Sequence, residues 1–96
     1  MSKICEAISK RTKMRIYYDG GERVIEPYCH GTSTAGNNVL RAYQISGFSK
    51  SGESAGWKLF IVDKITSISI LPERFDTNRP GYNARDEGMV QIHCHV

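Results

Sequence analysis

Long apolar stretches are missing from this 96-residue chain; the longest, Leu59 to Val62, has four residues. A helix needs roughly 20 to cross a bilayer, so no membrane span is expected. Met1-Ser2-Lys3-Ile4-Cys5-Glu6 lacks the apolar core of a secretory signal, which makes a cytoplasmic protein the expectation. Cysteine is scarce. Cys5, Cys29 and Cys94 cannot all pair with one another and show neither CxxC spacing nor a dense framework, so free thiols in a reducing compartment are expected. Neither sign of charge dominates: 13 Lys and Arg against 10 Asp and Glu give +3, which admits an anionic partner but is far from a polybasic composition. The length excludes a two-domain enzyme with its cleft between lobes and leaves one small core built from 40% hydrophobic residues.

What is present is punctuated alternation. Ile4, Cys5, Ala7 and Ile8 fall on one helical face, and with Ser2 as N-cap they predict a helix over about 2–11. Met14, Ile16 and Tyr18 then alternate up to Asp19-Gly20-Gly21, whose glycines suit a tight hairpin turn, and Glu22 to Pro27 returns as the partner strand. Pro27, without an N–H, is expected to end that strand or to sit at an edge. Tyr28 to Asn38 carries turn formers and no period, and reads as a loop. Val39 to Ile45 is the next strand. Its two faces each mix apolar and polar groups, so the core side stays open. A serine- and glycine-rich loop, Ser46 to Gly56, leads to strands over Trp57 to Val62 and Ile65 to Leu71, with Pro72 closing the run. The tail from Asp86 to Val96 fits a strand better than a helix.

One helix and about five short strands predict a mainly β fold: a small, strongly bent antiparallel barrel of SH3-like or Sm-like type with an N-terminal helix. Residues 1–75 would form the barrel and 76–96 a C-terminal extension packed on it.

The order of local motifs resembles the WYL-domain family. The pieces are Ala7-Ile8 in the helix, Ile16-Tyr17-Tyr18, Arg23-Val24-Ile25-Glu26-Pro27, Leu40-Arg41-Ala42-Tyr43, and Phe60-Ile61-Val62-Asp63-Lys64-Ile65, spread over residues 4 to 75. Two departures stand out. The signature tripeptide is Asn38-Val39-Leu40, without its aromatics, and Ile61 replaces the arginine that commonly follows the phenylalanine of the last motif. The family's helix-turn-helix partner domain does not precede the barrel, so the chain resembles a short stand-alone member. The resemblance implies a Sm-like barrel that binds nucleic acid or a nucleotide-type ligand as a regulatory module, and it does not imply catalysis.

The residues themselves point the same way. Arg41, Tyr43 and Gln44 on one strand, with Trp57 and Lys58 beyond the loop, supply cations for phosphate and ring faces for bases, the pairing that single-strand binders use. Ser49 and Ser51 add hydroxyls and backbone N–H groups that suit an anion, although no P-loop spacing is present. Arg79 joins from Arg79-Pro80-Gly81-Tyr82. The plainer reading makes Tyr43 and Trp57 core aromatics, Arg41 and Lys58 solvated charges, and Tyr82 an anchor for the tail. Cys29-His30 and His93-Cys94-His95 hold soft ligands, yet their spacing matches no zinc motif, so neither metal nor cofactor is expected. No nucleophile and base pair survives the spacing either. The leading expectation is a non-enzymatic module for single-stranded nucleic acid or a nucleotide-type anion. The alternative is a protein interaction or oligomerisation module of a larger prokaryotic or phage assembly, with a possible homo-oligomer.

Overall fold

The computed structural model describes residues 3–48, 55–76, 79–82 and 88–96. The expected cap at Ser2 and the sites at Ser49 and Ser51 lie outside them. Helix α1, Lys3–Lys10, turns Ile4, Ala7 and Ile8 inward and is followed by strands β1 Thr12–Tyr18, β2 Gly21–Ser33, β3 Asn38–Gly47 and β4 Gly56–Ile61. A 3-10 turn over Val62–Lys64 leads into β5, Ile65–Arg74, and β6 is Met89–His95. Among the described residues no helix is long and apolar enough to cross a membrane.

All pairings are antiparallel, in the order β4-β3-β2-β1-β5, with β6 added to β2. The fold is therefore mainly β with one short helix, as the sequence implies. Closure into a barrel does not follow: among the described residues β4 pairs with β3 and β5 with β1, but the two edges do not pair with each other. The expected barrel is instead a compact open sheet.

Strand β2 organises this sheet, and it departs most from the sequence reading. It does not stop at Pro27 but runs through Tyr28–Ser33, the stretch expected as a loop. Pro27 is tolerated because the β2–β3 register shifts between Pro27 and Cys29, a bulge where the missing N–H costs no ladder bond. Beyond it Cys29 to Ser33 pairs with β6, so a tail some sixty residues away completes the strand. Pro72 likewise does not end β5. The register to β1 jumps from Met14↔Ile70 to Thr12↔Arg74, and the extra residues on this edge strand accommodate the proline.

The main core lies between α1 and one face of the sheet, and holds Ile4, Ala7 and Ile8 against Met14, Ile16, Ile25, Leu40, Ala42 and Phe60. Burying each large aliphatic or aromatic side chain here contributes about 1.5–3 kcal/mol. A smaller cluster of Cys29, Val39 and Met89 packs on the other face, with Ile61 and Ile92 against it. At the end of β3, Gly47 has φ +105°, and a Cβ there would collide with the carbonyl oxygen of Glu22, so only glycine lets β3 cross β2 this closely.

Covalent bonding also departs from expectation. Cys5 on α1 and Cys94 on β6 form a disulfide, with their Cα atoms 5.7 Å apart. Free thiols were expected at all three cysteines; the β2–β6 pairing, invisible in the spacing, is what carries Cys94 under the helix. Cys29 keeps its thiol, buried 3.6 Å from the Met89 sulfur.

Candidate nucleic-acid interface

The β3–β4 register decides which of the expected site residues share a face. Arg41 stands opposite Leu59 and Tyr43 opposite Trp57, while Ala42 stands opposite Lys58 and Gln44 opposite Gly56. Directly opposed residues project to the same side of a sheet and successive ones to opposite sides. Arg41, Tyr43 and Trp57 therefore lie together on one face, with the exposed Leu59 beside them. Lys58 projects from the other side, in the row of Phe60, and does not join them.

Gln44 also leaves the expected site. It is fully buried, accepts a hydrogen bond from Arg23 Nη1 at 3.4 Å and donates one to the Phe48 carbonyl at 2.9 Å, which ties β3 to β2 and to the start of the following loop. It gives the buried Arg23 one side-chain acceptor. Arg23 was not among the expected site residues. Only 5% exposed, its guanidinium lies 5.1 Å, 5.5 Å and 5.6 Å from the ring centroids of Tyr18, Phe48 and Phe60, a desolvated cation among aromatic rings.

Tyr43 and Trp57 are neither sealed in the core nor fully exposed. Their rings meet edge to face at 5.5 Å. Tyr28 is buried against Trp57, Phe75 and Tyr82, with centroids 4.9, 5.1 and 5.2 Å away. The segment from Arg79 to Tyr82 is seated on this aromatic group. Trp57 Nε1–H donates to the Pro80 carbonyl at 2.7 Å, and the Arg79 guanidinium lies 4.7 Å from the Tyr43 centroid. Tyr82 thus anchors the tail, as the plainer reading had it.

A buried carboxylate fixes Arg79. Glu26, in register with Tyr43, is 3% exposed and accepts Arg79 Nε–H at 3.0 Å on one oxygen and Nη2–H at 3.2 Å on the other. The Tyr28 hydroxyl donates to Glu26 at 3.2 Å and accepts the Arg79 backbone N–H at 3.0 Å. The hydrogen bond to Glu26 raises the Arg79 pKa above its ordinary value, and burial raises that of Tyr28. Arg79 was expected at the site, and the structure supplies Glu26 as its partner. Arg15 pairs with Glu22.

A different cluster gathers at the disulfide. His30 is buried next to Cys5 and Cys94, its Nδ1 3.5 Å from one sulfur and 3.8 Å from the other, and its Nε2 is 2.6 Å from Asn38 Oδ1. Burial lowers the His30 pKa, partly opposed by the bond to Asn38. His93 turns aside to Thr32, 3.1 Å from its hydroxyl.

With this geometry in hand, comparison with family models, with curated proteins and with solved structures finds no match to the chain. The functional reading rests on the residues.

Proposed function

We propose that this chain is a non-enzymatic binding module for single-stranded nucleic acid or a nucleotide-type anion, received on the sheet face that carries Arg41, Tyr43 and Trp57. The observation supporting it most is the cross-strand row in which Tyr43 and Trp57 oppose each other, with Arg41 two residues along the same face. Tyr43 and Trp57 are half-buried, with Arg79 over the Tyr43 ring and Tyr82 stacked on Trp57, so a base would stack on the ring surface these leave open, and the Arg41 guanidinium beside them would contact a phosphate. Arg79, held over Tyr43 by Glu26, makes the platform rigid. The motif order similar to the WYL family supports the same reading, as does the helix followed by an antiparallel meander, an arrangement related to SH3-like and Sm-like barrels. Lys58 and Gln44 have no part in it. Ligand identity within this class is a matter of test, and a regulatory role belongs to the same proposal.

Trp57 is the only tryptophan, so its fluorescence reports on this face without labelling. Titration with single-stranded oligonucleotides and with cyclic nucleotides is expected to change that emission saturably, with affinity falling as salt rises from about 50 to 200 mM. Binding that leaves Trp57 emission unchanged, or that ignores salt, contradicts the proposal.

A second reading has its own support. Among the described residues the edges β4 and β5 each have one neighbouring strand, and such edges accept a strand from another chain. A sedimentation coefficient that rises with protein concentration and not with oligonucleotide favours that alternative.

A further inference from the structure

We propose that Cys5, Cys94 and His30 form a redox-gated metal site of zinc type, closed by the disulfide and opened when that bond is reduced. The three residues come from α1, β6 and β2, and their sulfur and nitrogen atoms all lie within 4.8 Å of one another. Tetrahedral zinc, with Zn–S about 2.3 Å and Zn–N about 2.0 Å, requires sulfur–nitrogen separations of about 3.5 Å and a sulfur–sulfur separation of about 3.7 Å. The two Nδ1–Sγ distances, 3.5 and 3.8 Å, already meet the first requirement. Only the bonded sulfurs need to part, and side-chain torsions of two reduced cysteines suffice for that.

The second independent observation is the far side of the imidazole. Histidines that bind metals ordinarily donate their other ring N–H to an oxygen that fixes tautomer and orientation. His30 Nε2 lies 2.6 Å from Asn38 Oδ1, and in the tautomer that donates this hydrogen bond the Nδ1 lone pair faces both sulfurs. A groove of about 470 Å³ borders Cys5 and Cys94 and is lined further by His93 and His95, so a fourth ligand, water or an incoming group, has access.

Disulfide and metal exclude one another, which makes the site a switch. A dithiol reductant supplies two electrons and two protons: the Cys5–Cys94 S–S bond breaks, two thiols form, and the reductant closes to its own disulfide. Zn²⁺ then takes both sulfurs as thiolates and the neutral Nδ1 of His30, and the two thiol protons pass to solvent. Oxidation by a disulfide-exchanging partner reverses the sequence and releases the ion. The ligands tie the helix to the sheet in either state. This inference is independent of the Arg41 face, since the two sites share no residue.

The experiment uses the full chain, reduced with a dithiol that is then removed without air, and oxidised chain as comparator. Titration with Co²⁺, followed by Zn²⁺ against a chromophoric chelator, is expected to show one ion bound to the reduced protein with a thiolate-to-cobalt charge-transfer band, and no such band in the oxidised protein. Cys94→Ser is expected to abolish the band, but it removes the disulfide as well. Asn38→Ala keeps all three ligands and is expected to weaken zinc binding by about 10–100-fold. Equal binding by both redox forms, a reduced protein without the thiolate band, or an Asn38→Ala variant of unchanged affinity would overturn the proposal.

Discussion

Breaking the Cys5–Cys94 bond in metal-free protein is expected to lower the unfolding free energy by about 3 kcal/mol and the midpoint temperature by roughly 15 °C. The bond joins residues 89 positions apart, so it closes nearly the whole chain into a loop. For a loop of that length the chain-entropy argument gives about 4–5 kcal/mol, and measured disulfides usually give somewhat less. Local structure explains where the loss falls. Helix α1 has eight residues, too few to persist alone, and is held by Ile4, Ala7 and Ile8 together with the bond to β6. Thermal and urea unfolding of oxidised and reduced chain, with a chelator present, measure the difference. Hydrogen exchange should show the α1 amides opening first after reduction. A midpoint unchanged within a few degrees would mean that the bond adds little to a helix already fixed by packing.

Arg79→Ala is expected to cost a similar amount, about 3 kcal/mol, and far more than Glu26→Gln. Glu26 is 3% exposed whereas the Arg79 side chain is 40% exposed, so the two ends of the pair are not equivalent. Without Arg79 the carboxylate is left buried with the Tyr28 hydroxyl as its remaining donor in this group, the situation that makes breaking a buried pair costly. Without the carboxylate the guanidinium turns to water and loses only hydrogen bonds, roughly 1 kcal/mol or a little more. The double variant, Arg79→Ala with Glu26→Gln, should therefore be more stable than Arg79→Ala alone. Chemical denaturation of the four proteins closes the cycle. Equal effects of the two single variants would show that the pair behaves as an exposed salt bridge.

The first hairpin was readable because Asp19-Gly20-Gly21 interrupts two alternating stretches, and Asp19 and Gly20 do take positive φ there. The second half of β2 was not. Tyr28 to Gly31 is buried without interruption, Tyr28 against Trp57, Phe75 and Tyr82, Cys29 against Val39 and Met89, and His30 beside Cys5 and Cys94, so the period of two that marks a half-exposed strand is absent. Pro27 and Pro72 misled for a related reason, since register shifts that absorb a proline are properties of strand pairs and not of single strands. The disulfide shows the same limit: Cys5 and Cys94 meet because β6 pairs with β2, and nothing local to either cysteine announces it.

For the candidate interface, residue types were legible and orientation was not. Arg41, Tyr43 and Trp57 came together because odd positions on β3 oppose odd positions on β4. The same parity removed Lys58 and buried Gln44. Since both faces of β3 mix polar and apolar groups, only the packing of α1 on one of them breaks the tie.

That parity makes the central claim testable with two substitutions of like chemistry. The salt dependence of oligonucleotide binding should be measured for Arg41→Ala and Lys58→Ala beside the parent chain. Arg41→Ala is expected to weaken binding and to reduce the log–log salt slope by about one, the signature of a lost phosphate contact, while Lys58→Ala leaves both unchanged. Equal losses in the two variants, or a loss in Lys58→Ala alone, would contradict the assignment of ligand to the Arg41, Tyr43 and Trp57 face.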